Sequence, residues 1–178
     1  DLVDTGAFDD LLVELGRQFP LLHERLELTR IHTHGLLFHW RGRGAERPVV
    51  LMAHLDVVPV DEDAPWQHPP FGADLVDGQV WGRGTLDNKG PGIMELLSFV
   101  MLKRLGVPLA RDVVLLAVAD EEQGGGKGAR YMVAEHYAVL QDVEFALNEG
   151  GGGRLDATGK KVALSMQVGE KTVQNYRL

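Results

Sequence analysis

The chain has 178 residues, 44% hydrophobic and 25% charged, which fits one globular domain with a sizeable core, or one and a fraction. Its 18 Lys and Arg against 26 Asp and Glu give a net charge of −8, which argues against a nucleic-acid surface. Cysteine is absent, excluding a disulfide framework and a Cys-type zinc finger, and no run approaches the roughly 20 apolar residues of a membrane span. The chain opens on Asp1 with neither Met nor a signal-like segment, as expected where an upstream part has been removed. No compartment is assigned.

Phe8, Leu11, Leu12, Leu15 and Phe19 recur at helical spacing opposite Asp9, Asp10, Glu14 and Arg17, predicting an amphipathic helix that stops at Pro20. Residues 21–28 add a helical turn or two. Residues 30–40 read as two strands broken at Gly35, with His32 and His34 sharing one strand face. No carboxylate motif lies beside them, so they read as a solvated face rather than a metal pair. After a polar turn, the apolar run Val49-Val50-Leu51-Met52-Ala53 ends abruptly at His54-Leu55-Asp56. Such a run predicts a strand buried on both faces, the kind found in parallel sheets. In open α/β sheets ligands bind beyond the carboxyl ends of the strands, so a His and an Asp there suit a metal site or an acid–base pair. Taken alone, they read equally well as a cap.

A long loop rich in Pro, Asp and Gly follows, carrying Trp66, His68, Pro69, Pro70 and Phe71; its length points to a function. A short strand is predicted at Gln79–Trp81. The stretch Gly82-Arg83-Gly84-Thr85-Leu86-Asp87-Asn88-Lys89-Gly90 then bends sharply. A helix is predicted over 91–105, with Met94, Leu97, Met101 and Leu105 as its core-packing stripe. Residues 111–119 form a second buried strand running into Asp120-Glu121-Glu122. The glycine run 124–128 fails as a phosphate loop, because Lys127 is followed by Gly128 and not by Ser or Thr; a loop entering a helix over 129–136 is expected. Phe145-Ala146-Leu147 makes a third apolar strand, ending in Asn148-Glu149 and four glycines. Residues 162–168 and 172–178 are predicted as a strand pair around Gly169-Glu170-Lys171. No repeat or internal linker is evident.

Three buried strands thus finish in His54/Asp56, Glu121/Glu122 and Glu149, and a glycine-bounded loop adds Asp87. If the strands are parallel neighbours, these groups share one crevice. Crowded carboxylates raise one another's pKa unless a cation neutralises them. Imidazole with carboxylates suits zinc, with cobalt or manganese as substitutes.

His54-Leu55-Asp56-Val57-Val58-Pro59, the 82–90 stretch, Asp120-Glu121-Glu122 and Asn148-Glu149-Gly150-Gly151 match, in order, the signature blocks of the dinuclear zinc peptidases. The chain resembles that family of aminoacylase, carboxypeptidase G and carboxypeptidase S, and within it the carboxypeptidase S and N-acyl-amino-acid hydrolase branch. The Trp66-Gln67-His68-Pro69-Pro70-Phe71 loop and Gly125-Gly126-Lys127-Gly128-Ala129 carry the similarity to that branch. The resemblance implies an α/β/α three-layer catalytic domain with a mostly parallel central sheet. It implies two zinc ions per complete site. His54, Asp87 and Glu149 would hold one, Asp87 would bridge, and Glu122 would ligate the second. Glu121 would be the general base, acting on a water that bridges the metals, and Asp56 would hydrogen-bond the other nitrogen of His54. It also implies a cis bond between Asp87 and Asn88, and a small peptide or N-acyl amino acid as substrate.

Two departures qualify it. Asn148 stands where this branch usually carries Asp. In the family a lid and dimerisation domain follows near residue 178 and the chain then returns with a last zinc-binding histidine, yet His136 is the final histidine here. Residues 1–178 are therefore expected to be the N-terminal portion of a catalytic domain, inactive alone, with any homodimer formed through the lid. The alternatives are a non-catalytic remnant or scaffold holding at most one zinc, and a phosphate-binding α/β protein resting only on the glycine-rich loops.

Overall fold

The computed structural model describes residues 6–32, 34–61 and 63–169, which fall into two compact units divided between Asn148 and Glu149. The first unit begins with helices α1 (Ala7–Gln18) and α2 (Pro20–Arg25), followed by strands β1 (Glu27–Ile31), β2 (Gly35–Trp40) and β3 (Glu46–His54). A small hairpin, β4 (Asp74–Val76) and β5 (Gln79–Trp81), precedes α3 (Lys89–Arg104) and β6 (Arg111–Val118). The unit closes with α4 (Ala129–Glu135), α5 (Tyr137–Leu140) and β7 (Phe145–Leu147). Among the described residues no helix is long and apolar enough to cross a membrane.

The central sheet runs β1-β2-β6-β3-β7. β6, β3 and β7 are parallel, while β1 and β2 add an antiparallel edge. The unbroken apolar runs of β3 and β6 follow from burial on both faces. Val113 and Leu115 join Leu36, Phe38, Leu96 and Phe99 in one core cluster, whereas Val114, Leu116 and Val118 join Leu37, Val50 and Met132 in another. The period of two along a strand thus sends alternate residues into two cores, one containing residues of α2 and α3, the other Met132 of α4. This is the expected α/β architecture.

Three local expectations are corrected. The apolar face of α3 is Leu96, Phe99 and Val100, while Met94, Leu97, Met101 and Leu105 are 41% to 73% exposed. The helix is apolar nearly all round, so periodicity alone could not say which face meets β3 and β6. β1 begins at Glu27, inside the stretch read as helical turns. His32 and His34 lie in the turn between β1 and β2 rather than on a strand; His34 stacks on Phe8 at 4.3 Å and His32 meets Tyr131 edge-on at 5.1 Å. The second unit holds β8 (Gly152–Leu155) and β9 (Lys161–Ser165), paired antiparallel with each other. β9 therefore pairs with an upstream strand that starts within the glycine run; the strand expected at 172–178 lies outside the described residues.

Candidate metal centre

His54 is the last residue of β3 and is 2% exposed. In the parallel register it stands opposite Val118, the last residue of β6, and the Leu55 N–H donates to the Val118 carbonyl at 2.8 Å. The two strands therefore end level, bringing Asp56 beside Glu121 and Glu122. Asp120, between them, adopts φ +66° and turns the chain. Its carbonyl accepts the Gly125 N–H at 2.5 Å and its carboxylate the Lys127 N–H at 3.1 Å, folding residues 120–127 into a closed loop. At Gly128 a Cβ would lie 2.0 Å from the Ala119 carbonyl oxygen, so only glycine lets the loop return this close to β6.

Asp87 arrives from the other side, at the mouth of α3. The turn leading to it needs Gly84, which has φ +83° and where a Cβ would press on Val57 at 2.6 Å. The Asp87–Asn88 peptide is cis, as the family resemblance implies. The loop before it is held by His68, which reaches Asp74 at 3.1 Å and packs on Trp81, and by Arg83 over the Trp66 ring at 5.2 Å.

His54 Nδ1 donates to the Asp56 main-chain carbonyl at 2.9 Å. A carbonyl only accepts, so Nδ1 carries a proton; Nε2 is then a lone pair in the neutral ring and a second donor in the charged one. Nε2 faces Asp87 Oδ1 at 3.0 Å, with Glu121 Oε2 at 4.0 Å. Either a proton or a cation must lie between this nitrogen and the carboxylate. One ligand atom each from His54, Asp87 and Glu122 lie within 4.8 Å of one another. One imidazole and two carboxylates so gathered make a donor set that suits a divalent cation.

Asp56 departs from the expected geometry. Its carboxylate is 3.6 Å from His54 Nδ1, beyond hydrogen-bond reach, and its oxygens accept the Glu121 and Glu122 N–H groups at 3.1 Å each. Asp56 does bond Nδ1, but through its main chain. Glu149 is the first residue of the second unit. Asn88 was not singled out from sequence. It is 1% exposed at the N-cap of α3, and both side-chain amide atoms lack a hydrogen-bond partner among the described residues. The helix was expected to start at residue 91, three positions later than Asn88, so the sequence pattern did not mark Asn88 as its N-cap.

The sequence model of peptidase family M20/M25/M40 matches residues 50–175. The chain belongs to this family. Among M20 relatives, a carboxypeptidase S-like protein of Dictyostelium discoideum is 35% identical over 135 residues, covering 74% of this chain and 26% of its own. An N-fatty-acyl-amino acid synthase/hydrolase of Danio rerio is 40% identical over 160 residues, covering 79% and 30%. The solved M20 metallo-carboxypeptidase Sso-CP2 of Sulfolobus solfataricus superposes with a TM-score of 0.64 at 24% identity, over 85% of this chain and 34% of that one; it shows the shared fold. The chain spans about a quarter of the length of the curated M20 relatives it matches.

Proposed function

We propose that the protein is a zinc-dependent hydrolase that releases an amino acid from a peptide or an N-acyl amide. The observation that carries this reading is His54, a buried imidazole whose Nε2 stands among carboxylate oxygens that can share a cation with it. His54, Asp87 and Glu122 would hold the ion. When bound, such an ion polarises the scissile carbonyl and lowers the pKa of water towards about 7. The buried His54 ring is oriented by the Asp56 carbonyl, which fixes its tautomer. The Glu121 side chain is 46% exposed, with Oε2 on the open side of the same centre. There it takes a proton from the attacking water and returns it to the leaving amine. The names of the relatives support the substrate class, spanning carboxypeptidases and N-fatty-acyl-amino acid hydrolases. Alone, the 178 residues are expected to turn over little.

The test uses the full reading frame that encodes the chain, assayed on dipeptides and N-acyl amino acids. Glu121→Gln is expected to lower kcat about 10²- to 10⁴-fold while leaving zinc content unchanged. Zinc loss on that substitution would exchange the roles of Glu121 and Glu122. No hydrolysis by the unsubstituted protein would overturn the proposal.

A further inference from the structure

Asp56 spends its side chain on the backbone of its neighbours. Both carboxylate oxygens are engaged, Oδ1 by the Glu121 N–H and Oδ2 by the Glu122 N–H, each at 3.1 Å. Two successive amides converging on one anion form the concave arrangement that a turned backbone offers to negative charge, and the left-handed Asp120 supplies the turn. Bonds to an ionised acceptor are stronger than neutral ones. The Glu121–Glu122 segment is otherwise a loop at the surface, yet its direction is fixed where it leaves β6.

We propose that Asp56 is a positioning residue that clamps the Glu121 and Glu122 amides, so that the two adjacent side chains diverge. It holds His54 independently, through its main-chain carbonyl. This rests on the reading of Glu121 as proton carrier and Glu122 as ligand. The division of labour follows from distance: the carboxylate stands 3.6 Å from Nδ1, the carbonyl 2.9 Å. One residue thus serves the histidine and the glutamate pair with different atoms. A side-chain substitution should disturb only the second.

Amide hydrogen exchange and imidazole ¹⁵N shifts, measured on the 178-residue chain without metal or substrate, separate these roles. In the unsubstituted chain the Glu121 and Glu122 amides should exchange at least about tenfold more slowly than that of Gln123, the worth of one charge-assisted bond. Asp56→Asn keeps the main-chain carbonyl and replaces one carboxylate oxygen by a donor. It should abolish that protection while leaving the Nδ1–H tautomer of His54 and the exchange of Val114 and Leu116 unchanged. Asp56→Glu should restore part of it. The proposal is overturned if Glu121 and Glu122 exchange as fast as Gln123 in the unsubstituted chain, a result that needs no variant to fold. It is equally overturned if Asp56→Asn shifts the His54 tautomer and spares the two amides. Neither readout depends on hydrolysis, so failure of the proposed activity would leave this result standing, and the converse.

Discussion

The two ends of β6 are built to opposite rules. At its amino end the carboxylates meet donors of the chain. Arg111 reaches Glu46 at 2.7 Å and Glu144 at 2.6 Å, and the Asp112 carboxylate is shared between His39 at 2.7 Å and the Gly42 N–H at 2.8 Å. At its carboxyl end, Glu121, Glu122 and Asp87 gather around one imidazole. Asp87 Oδ1 and Glu121 Oε2 stand 3.0 and 4.0 Å from His54 Nε2. At one end the carboxylates are paired with donors of the chain, and at the other they converge on a single imidazole. The first arrangement serves stability; the second suits binding.

The largest expected effect lies at the carboxyl end. His54→Ala removes the nitrogen donor and should weaken zinc affinity more than about 100-fold, beyond the loss of an outer-shell partner, as read by competition with a chromophoric chelator. Affinity unchanged by that substitution would erase the contrast between the two ends. At the amino end, Asp112→Asn should leave zinc binding intact but cost about 1–2 kcal/mol in urea unfolding. Burial pushes the Asp112 carboxyl up, but the Gly42 N–H, His39 and Arg41 outweigh it and hold the group below its ordinary value. A depressed carboxylate contributes its stability above the unfolded value of about 3.9 and loses it as pH falls. The cost of Asp112→Asn should therefore shrink in acid.

The smallest effect concerns Glu95 on α3, whose carboxyl is pushed up to about 7 by burial and whose Oε2 lacks a partner among the described residues. A raised carboxyl pKa means that the folded state is favoured below the unfolded value and loses that advantage as pH climbs through 7. Discounted for partial exposure, Glu95→Gln should gain on the order of 1 kcal/mol at pH 8 relative to pH 5. Unfolding midpoints at the two pH values decide it.

Much of the centre was legible because burial on both faces leaves β3 and β6 as pure apolar runs that stop at His54 and Asp120. What stayed hidden depends on register or on the direction of a face. The Asp56 clamp joins residues 65 positions apart and exists only because His54 pairs with Val118. The packing face of α3 was ambiguous because apolar residues encircle that helix. β8 was invisible, since Gly152 and Gly153 have no side chains to alternate.

If the carboxyl end of β6 is a cation site completed by His54, zinc must stabilise the fold through that residue. Unfolding of the 178-residue chain, with and without zinc at about 100 times its dissociation constant, tests it most directly. A gain of about 2.7 kcal/mol in the unsubstituted chain, absent from His54→Ala at the same zinc concentration, is the expected result. No gain, or an equal gain in both chains, would mean that His54 holds no zinc there.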